Sequence, residues 1–177
     1  MIARLTTMLL AVVAASALLM AGCGGDDDDA TGETSAPPIK ASSLSKAQFV
    51  ERANVACSKE KEKLLGRAEA YRPPAGSQNQ SAEEQLADRL KAVIVPTVEG
   101  EITAIRALGA PKGEEAEVEA ILAAQRNGLE EVSALDSVRS VNDVTIHFDE
   151  ARKLANEYGI TTCTVTPEPN APEAGDE

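Results

Sequence analysis

SAEEQLADRLKAVIVPTVEGEITAIRAL, residues 81–108, is the stretch that decides the fold. Leu86, Leu90, Ile94, Val98, Ile102, Ile105 and Leu108 recur at three- and four-residue steps, the spacing that gathers apolar side chains on one face of a helix. Ser81 and Glu84 have the separation of a capping box, in which each side chain satisfies a backbone N–H belonging to the other at the helix start. Pro96 falls inside the run. Proline removes one ladder hydrogen bond and crowds the turn before it, yet the apolar register continues on both sides, so the stretch reads as one kinked helix or two closely joined ones.

The same pattern extends outward. Upstream, Ser45 and Gln48 repeat the capping-box spacing, and Phe49, Ala53, Ala56 or Cys57, Leu64 and Ala68 fall near a common face. Glu60 and Lys61 interrupt that stripe, which predicts a first helix partly exposed at its middle, and the Pro/Gly-containing residues 71–77 end it. Downstream, residues 109–113 punctuate the chain, and Glu114, Glu115 and Glu117 then suit the positive end of a new helix. That third helix carries Val118, Ile121, Leu122, Gln125, Leu129, Val132 and Leu135.

Residues 140–143 are placed to cap a fourth helix, with Val144, Phe148, Ala151, Ala155 and Tyr158 on one face and Gly159 as its stop. Two alternatives stay open. Nothing between Leu135 and Val144 is Pro or Gly, so helices three and four read equally as continuous, and the β-branched residues near 141–146 allow a short strand over 143–148. Four amphipathic segments with short connectors predict an all-α fold, an antiparallel helical bundle of about four helices.

Composition limits what the chain binds. Lys and Arg number 17 against 29 Asp and Glu, a net charge of -12. Phosphate recognition is built on accumulated cations, so nucleic acid is not an expected partner. The excess lies outside the helical stretch, since residues 46–165 hold 15 basic and 20 acidic side chains. Residues 24–43 and 167–177 are rich in Gly, Asp, Ser, Thr, Pro and Glu, a composition that cannot bury a core and reads as disordered. With no Trp and only Phe49, Tyr71, Phe148 and Tyr158 as aromatics, the core must be Ala, Leu, Ile and Val.

The first residues have their own pattern. An apolar run from Met8 to Ala21 is shorter than the roughly 20 residues needed to span a bilayer and reads as a signal peptide. Ala15, Ser16 and Ala17 form one small-residue cleavage site, though with Leu18, Leu19 and Met20 still to come. The alternative is Met20, Ala21, Gly22 and Cys23. This resembles the lipobox of bacterial lipoproteins, with a bulky apolar residue three positions before a cysteine and small residues directly before it. The resemblance implies cleavage before Cys23, acylation of Cys23, and a mature protein held at the outer face of the cell membrane. Two or more acyl chains give stable anchoring where one gives little.

The layout, with a cysteine in the first mature helix and another after Tyr158, is also similar to small helical lipoproteins of high-GC Gram-positive bacteria, a resemblance that brings no activity with it. The expected organisation is therefore a lipoprotein signal at 1–22, an acylated cysteine and disordered acidic linker at 23–44, a helical bundle at 45–165 and a disordered acidic tail at 166–177.

Outside the cytoplasm, the two cysteines left after lipidation, Cys57 and Cys163, are expected to pair as one structural disulfide. In the chain-entropy view a bridge closing a loop of about 100 residues contributes about 4.7 kcal/mol, less any native strain. Free thiols, or redox or metal chemistry, are the alternatives. The pair lacks C-x-x-C spacing and His147 is the lone histidine, too few ligands for a closed zinc site.

Candidate chemistry is sparse. His147 beside Ile146 and Phe148 has no defined orienting partner in the sequence, and an oxidised cysteine is no nucleophile. Glu115 and Glu119 share a helical face, but paired carboxylates hydrolyse glycosides only across a cleft. Glu60 with Lys63 and Lys59 with Glu62 read as solvated helix pairs. Asp26–Asp29 lack the ordering loop that a calcium cage needs.

No phosphate loop, zinc-protease or nucleophile-elbow motif is present. The expectation is a protein that is not an enzyme and takes no cofactor or metal. It reads as a lipid-anchored module that contacts another envelope protein, supported by any apolar patch near Pro96 or along helix one. The alternative is a carrier of a small apolar ligand held within the bundle beside Ala53, Ala56 and Ala104. An enzyme would need His147 in a cleft with an acid nearby.

Overall fold

Two serine caps start the two longest helices. The computed structural model describes residues 37–163. In α1 (Lys46–Ala70) the Ser45 hydroxyl accepts from the Gln48 N–H at 3.3 Å and Gln48 Oε1 accepts from the Ser45 N–H at 3.0 Å. In α2 (Ala82–Leu108) Ser81 and Glu84 do the same at 3.2 and 2.6 Å. Helix α2 runs unbroken through Pro96. Next to the proline, which has no N–H to offer the Ala92 carbonyl, the Thr97 hydroxyl donates back to the Val93 carbonyl one turn earlier at 2.7 Å.

Helix α3 spans Glu115–Ser133. The fourth arm is composite: α4 (Asn142–Thr145), a 3₁₀ turn over Ile146–Phe148, and α5 (Asp149–Tyr158). The arms form an antiparallel helical bundle closed by a disulfide between Cys57 and Cys163, whose Cα atoms are 4.9 Å apart.

Helices three and four are separate, and residues 143–148 are helical. The break has no Gly or Pro because tertiary bonds and a local carboxylate make it. Lys91 Nζ donates to the Leu135 carbonyl at 2.8 Å, and the Val138 N–H donates to the Glu83 carbonyl at 3.2 Å, tying the connector to α2. Asp143 then accepts the N–H groups of Arg139 and Ser140 at 2.7 and 3.0 Å. The carboxylate folds these two residues back onto the first turn of α4, and the helix start itself carries no side-chain cap, neither from Asp143 nor from the Ser140 hydroxyl.

The core has two lobes. One gathers Phe49, Cys57, Ile105, Leu122, Ile160 and Cys163 with their neighbours, and the other gathers Ala87, Ile94, Val98, Val132, Val144 and Phe148. In the second lobe α3 and the fourth arm approach closely at Gly128, where an added Cβ would stand 2.6 Å from Phe148 Cδ1 and 2.7 Å from the His147 carbonyl oxygen.

Two expectations are corrected. The linker assigned to 23–44 is not disordered over its last part. Ile39 is buried, and β1 (Ala41–Ser42) pairs in parallel with β2 (Ala110–Pro111), Ala41 facing Ala110 and Ser42 facing Pro111. The Ala110 N–H donates to the Lys40 carbonyl at 2.9 Å, and Arg106 donates to the Pro37 carbonyl. One buried isoleucine and these bonds hold a strap whose composition alone looks unstructured.

The other correction is Glu60, which does not mark an exposed middle of α1. It is 7% exposed. Residues 1–22, read above as a signal peptide, Cys23, Asp26–Asp29 and the acidic tail lie outside the described residues.

Candidate functional site

Helix α1 meets α2 along its length, and the shape of that seam follows from two departures from the apolar pattern. At Gly100 the absence of a side chain lets Glu60 fold onto the α2 backbone, since an added Cβ would lie 2.5 Å from Glu60 Oε2. The carboxylate there is offset by Lys63 at 2.5 Å and Arg67 at 3.6 Å. Arg67 also donates to the Thr97 hydroxyl at 2.8 Å, so the chain Glu60, Arg67, Thr97 and the Val93 carbonyl is one polar strand through the interface. Burial of a carboxylate is tolerated only when paired in this way.

On the solvent side of the seam the side chains are small. Val55, Ala56, Ala104, Ala107 and Leu108 floor an open groove of about 720 Å³, rimmed by Gln48, Glu51, Arg52, Lys59 and Lys63, with Glu60 at its end. Val55 is 50% exposed. Arg52 and Lys59 form no ion pair among the described residues, and neither does Glu62. The expected Lys59–Glu62 pair is thus not made, whereas the Glu60–Lys63 pair is. The result is an apolar floor beside two unpaired cations, Arg52 and Lys59, and one unpaired acid, Glu51, on a strongly acidic chain.

The three alanines named as pocket-makers have different settings. Ala53 is fully buried, with Cys163 Sγ 3.9 Å from its carbonyl oxygen. Ala56 and Ala104 open onto the groove rather than into the bundle interior.

The candidate catalytic groups are dispersed. His147 Nδ1 lies 2.6 Å from Glu131 Oε2 on the outer side of α3, and Glu131 is largely exposed. Its nearest carboxylate is therefore a surface partner. Cys57 and Cys163 are bonded to each other, which leaves neither sulfur as a thiolate nucleophile. Glu119 holds Arg106 at 3.0 Å and Arg126 at 2.7 Å, while Glu115 accepts the Gly113 N–H at 2.8 Å. Glu119 fastens α3 to α2, and Glu115 closes the turn at the start of its own helix.

A third acid, Glu101, is wholly buried between α2 and α3, where Gln125 Nε2 donates to it at 3.3 Å. Its position was legible, because Ile94, Val98, Glu101 and Ile105 keep one helical register. Glu60 likewise continues the step from Phe49 through Ala53 and Cys57. Reading Glu60 as a break in the stripe follows charge where spacing is the better guide.

At the other end of α1, Lys46 stands 4.1 Å from the Tyr158 ring centroid and 3.4 Å from Glu114 Oε2. Phe49 meets Tyr158 edge-on at 5.9 Å. The Tyr158 hydroxyl, and then Lys46, hold the Glu114 carboxyl below its ordinary range. Burial, reinforced by Glu114, pushes the Tyr158 phenol up. The Arg139 and Ser140 N–H groups hold Asp143 down.

Among the described residues no group of three or more His, Cys, Asp or Glu is placed to hold a metal ion, and no helix is long and apolar enough to cross a membrane. No protein-family model matches the chain, nor does any curated protein or solved structure.

Proposed function

We propose that this chain is an extracytoplasmic lipoprotein, anchored to the outer face of the cell membrane through Cys23, that works as a non-catalytic interaction module with the α1/α2 groove as its contact face. The observation that carries this reading is the exposed apolar floor around Val55 and Ala56 beside the unpaired Arg52 and Lys59. An exposed apolar patch rimmed by polar groups is the usual mark of an interaction site. With two unpaired cations against the single unpaired acid Glu51, the rim favours a partner of opposite charge through steering and register. The partner is an envelope protein that presents small apolar residues flanked by acids.

The test is a photo-crosslinking residue at Val55 in intact cells, with the same residue at exposed Asn127 as control. One envelope protein captured from position 55 and not from 127, and lost when Arg52 and Lys59 are both changed to Glu, is the expected result. Equal capture from both positions, or capture indifferent to the charge reversal, overturns it. The mass of the mature N-terminus tests the anchor separately, since an unmodified Cys23 removes it.

The floor formed by Ala56 and Ala104 supports a second reading, a small apolar ligand carried in the groove. A small molecule that co-purifies with the chain and protects Val55 from crosslinking would select that reading over the first.

A further inference from the structure

The disulfide joins residues 106 positions apart, and Asn54 gathers more of the incoming chain than the sulfurs do. Its Oδ1 accepts the N–H of Thr161 at 2.9 Å and that of Thr162 at 3.0 Å, and also the Thr162 hydroxyl. The same hydroxyl reaches the Asn54 carbonyl at 3.1 Å, and Asn54 Nδ2 donates to the Gly159 carbonyl at 3.5 Å.

The segment arrives shaped for this reception. Gly159 turns the chain with a φ of 109°, a left-handed value that suits glycine. Ile160 is then fully buried, and its N–H donates to the Ala155 carbonyl at 2.8 Å. Cys163 is thereby set beside Ala53 and Cys57, one turn of α1 apart from each other. None of these bonds involves the disulfide itself.

We infer that Asn54 is a positioning residue that selects the partner of Cys163, directing it to Cys57 and away from Cys23. The chain has three cysteines, so three pairings are open to it, and random closure does not choose strongly among long loops because closure entropy changes slowly with length. A docked 159–162 segment raises the effective concentration of one thiol at the other far above that of a free chain. The selection operates in the chain before Cys23 is acylated, since acylation turns that sulfur into a thioether that cannot exchange; it does not depend on the groove.

The chemistry is ordinary thiol–disulfide exchange. With glutathione disulfide as oxidant, one protein thiolate attacks it and expels a glutathione thiolate. The second protein thiolate attacks the mixed disulfide and expels the other. Two electrons pass from the protein dithiol to the glutathione disulfide, and the two thiol protons end on two glutathione molecules.

The experiment uses the full chain with Cys23 unacylated, reduced in detergent under native conditions, returned to glutathione buffer, quenched by alkylation at intervals and mapped by mass spectrometry. Asn54→Ala is expected to form the Cys57–Cys163 pair roughly fivefold or more slowly, with Cys23-containing pairs appearing in its place. Asn54→Asp, which keeps the acceptor oxygens, is expected to restore correct pairing. Thr162→Val, which removes only the hydroxyl bonds, is expected to fall between, and serves as the reading variant if Asn54→Ala loses its helical circular dichroism. Wild-type rates and pairings in Asn54→Ala, or in Thr162→Val where that variant stands in, overturn the inference. So does equal mispairing in Asn54→Ala and Asn54→Asp, which would trace the effect to lost packing.

Discussion

The same substitution is expected to act with opposite sign at two glycines. At Gly128 an added methyl meets the Phe148 ring and the His147 backbone at under 3 Å, and neither gives way freely. Gly128→Ala is expected to destabilise by about 1–3 kcal/mol through overpacking. At Gly66, within α1, nothing lies within 4 Å. Gly66→Ala is expected to stabilise by about 0.5–1 kcal/mol because alanine loses less freedom on entering a helix. Urea denaturation of the two variants against the parent checks both signs. Single titrating groups set the acid limit in the same way. Glu114 and Asp143 have folded-state values below their ordinary 4.5 and 3.8. Their contribution is therefore complete above those ordinary values and is lost as pH falls through the lowered ones. The urea midpoint is expected to drop below about pH 4.5, and a Glu114→Gln, Asp143→Asn double variant is expected to show a flatter profile across that window.

At the scale of elements, the strap and the helices respond to different forces. The strap is held by Ile39, the strand pairing and two bonds to backbone carbonyls. Ile39→Ala is expected to cost about 2 kcal/mol and to speed hydrogen exchange at the Ala110 amide, which bonds the strap, while α2 keeps its protection, as peptide-resolved mass spectrometry reads. This strap was illegible in the sequence because a single isoleucine among Pro, Lys, Ala and Ser has no periodicity to detect. The starts of α1 and α2 were legible, since a capping box is a local device and both serines use it. The end of α3 was not, because Lys91 and Glu83 hold the chain that leaves it from another helix. The groove was half legible. Ala56 and Ala104 were recognisable as small, but whether small residues enclose a cavity or floor an open surface depends on which face of the helix pair is covered.

For the whole molecule, the two core lobes differ in how the chain secures them. The lobe around Phe49 and Ile105 contains the strap, the disulfide and the segment after α5, so residues near both ends of the described chain close it. The lobe around Ile94 and Phe148 is made from the internal elements α2, α3 and the fourth arm. Removing the bridge with a Cys57→Ser, Cys163→Ser double variant is expected to lower stability by about 4.7 kcal/mol at most. Exchange protection should fall first around Phe49 and Ile160, with Val132 and Phe148 less affected. Loss of protection that is uniform across both lobes would show that they open as one unit.

The bond between Cys57 and Cys163 also makes residues 57–163 a covalent ring, and the exposed connector between α1 and α2 lies inside it. A protease that nicks residues 72–76 once would linearise the ring without releasing a fragment. Such a nick should show as two bands after reduction and one before it, with α1 and α2 still docked. In a compartment rich in hydrolases, that arrangement turns a severed peptide bond from a loss of mass into a loss of tension.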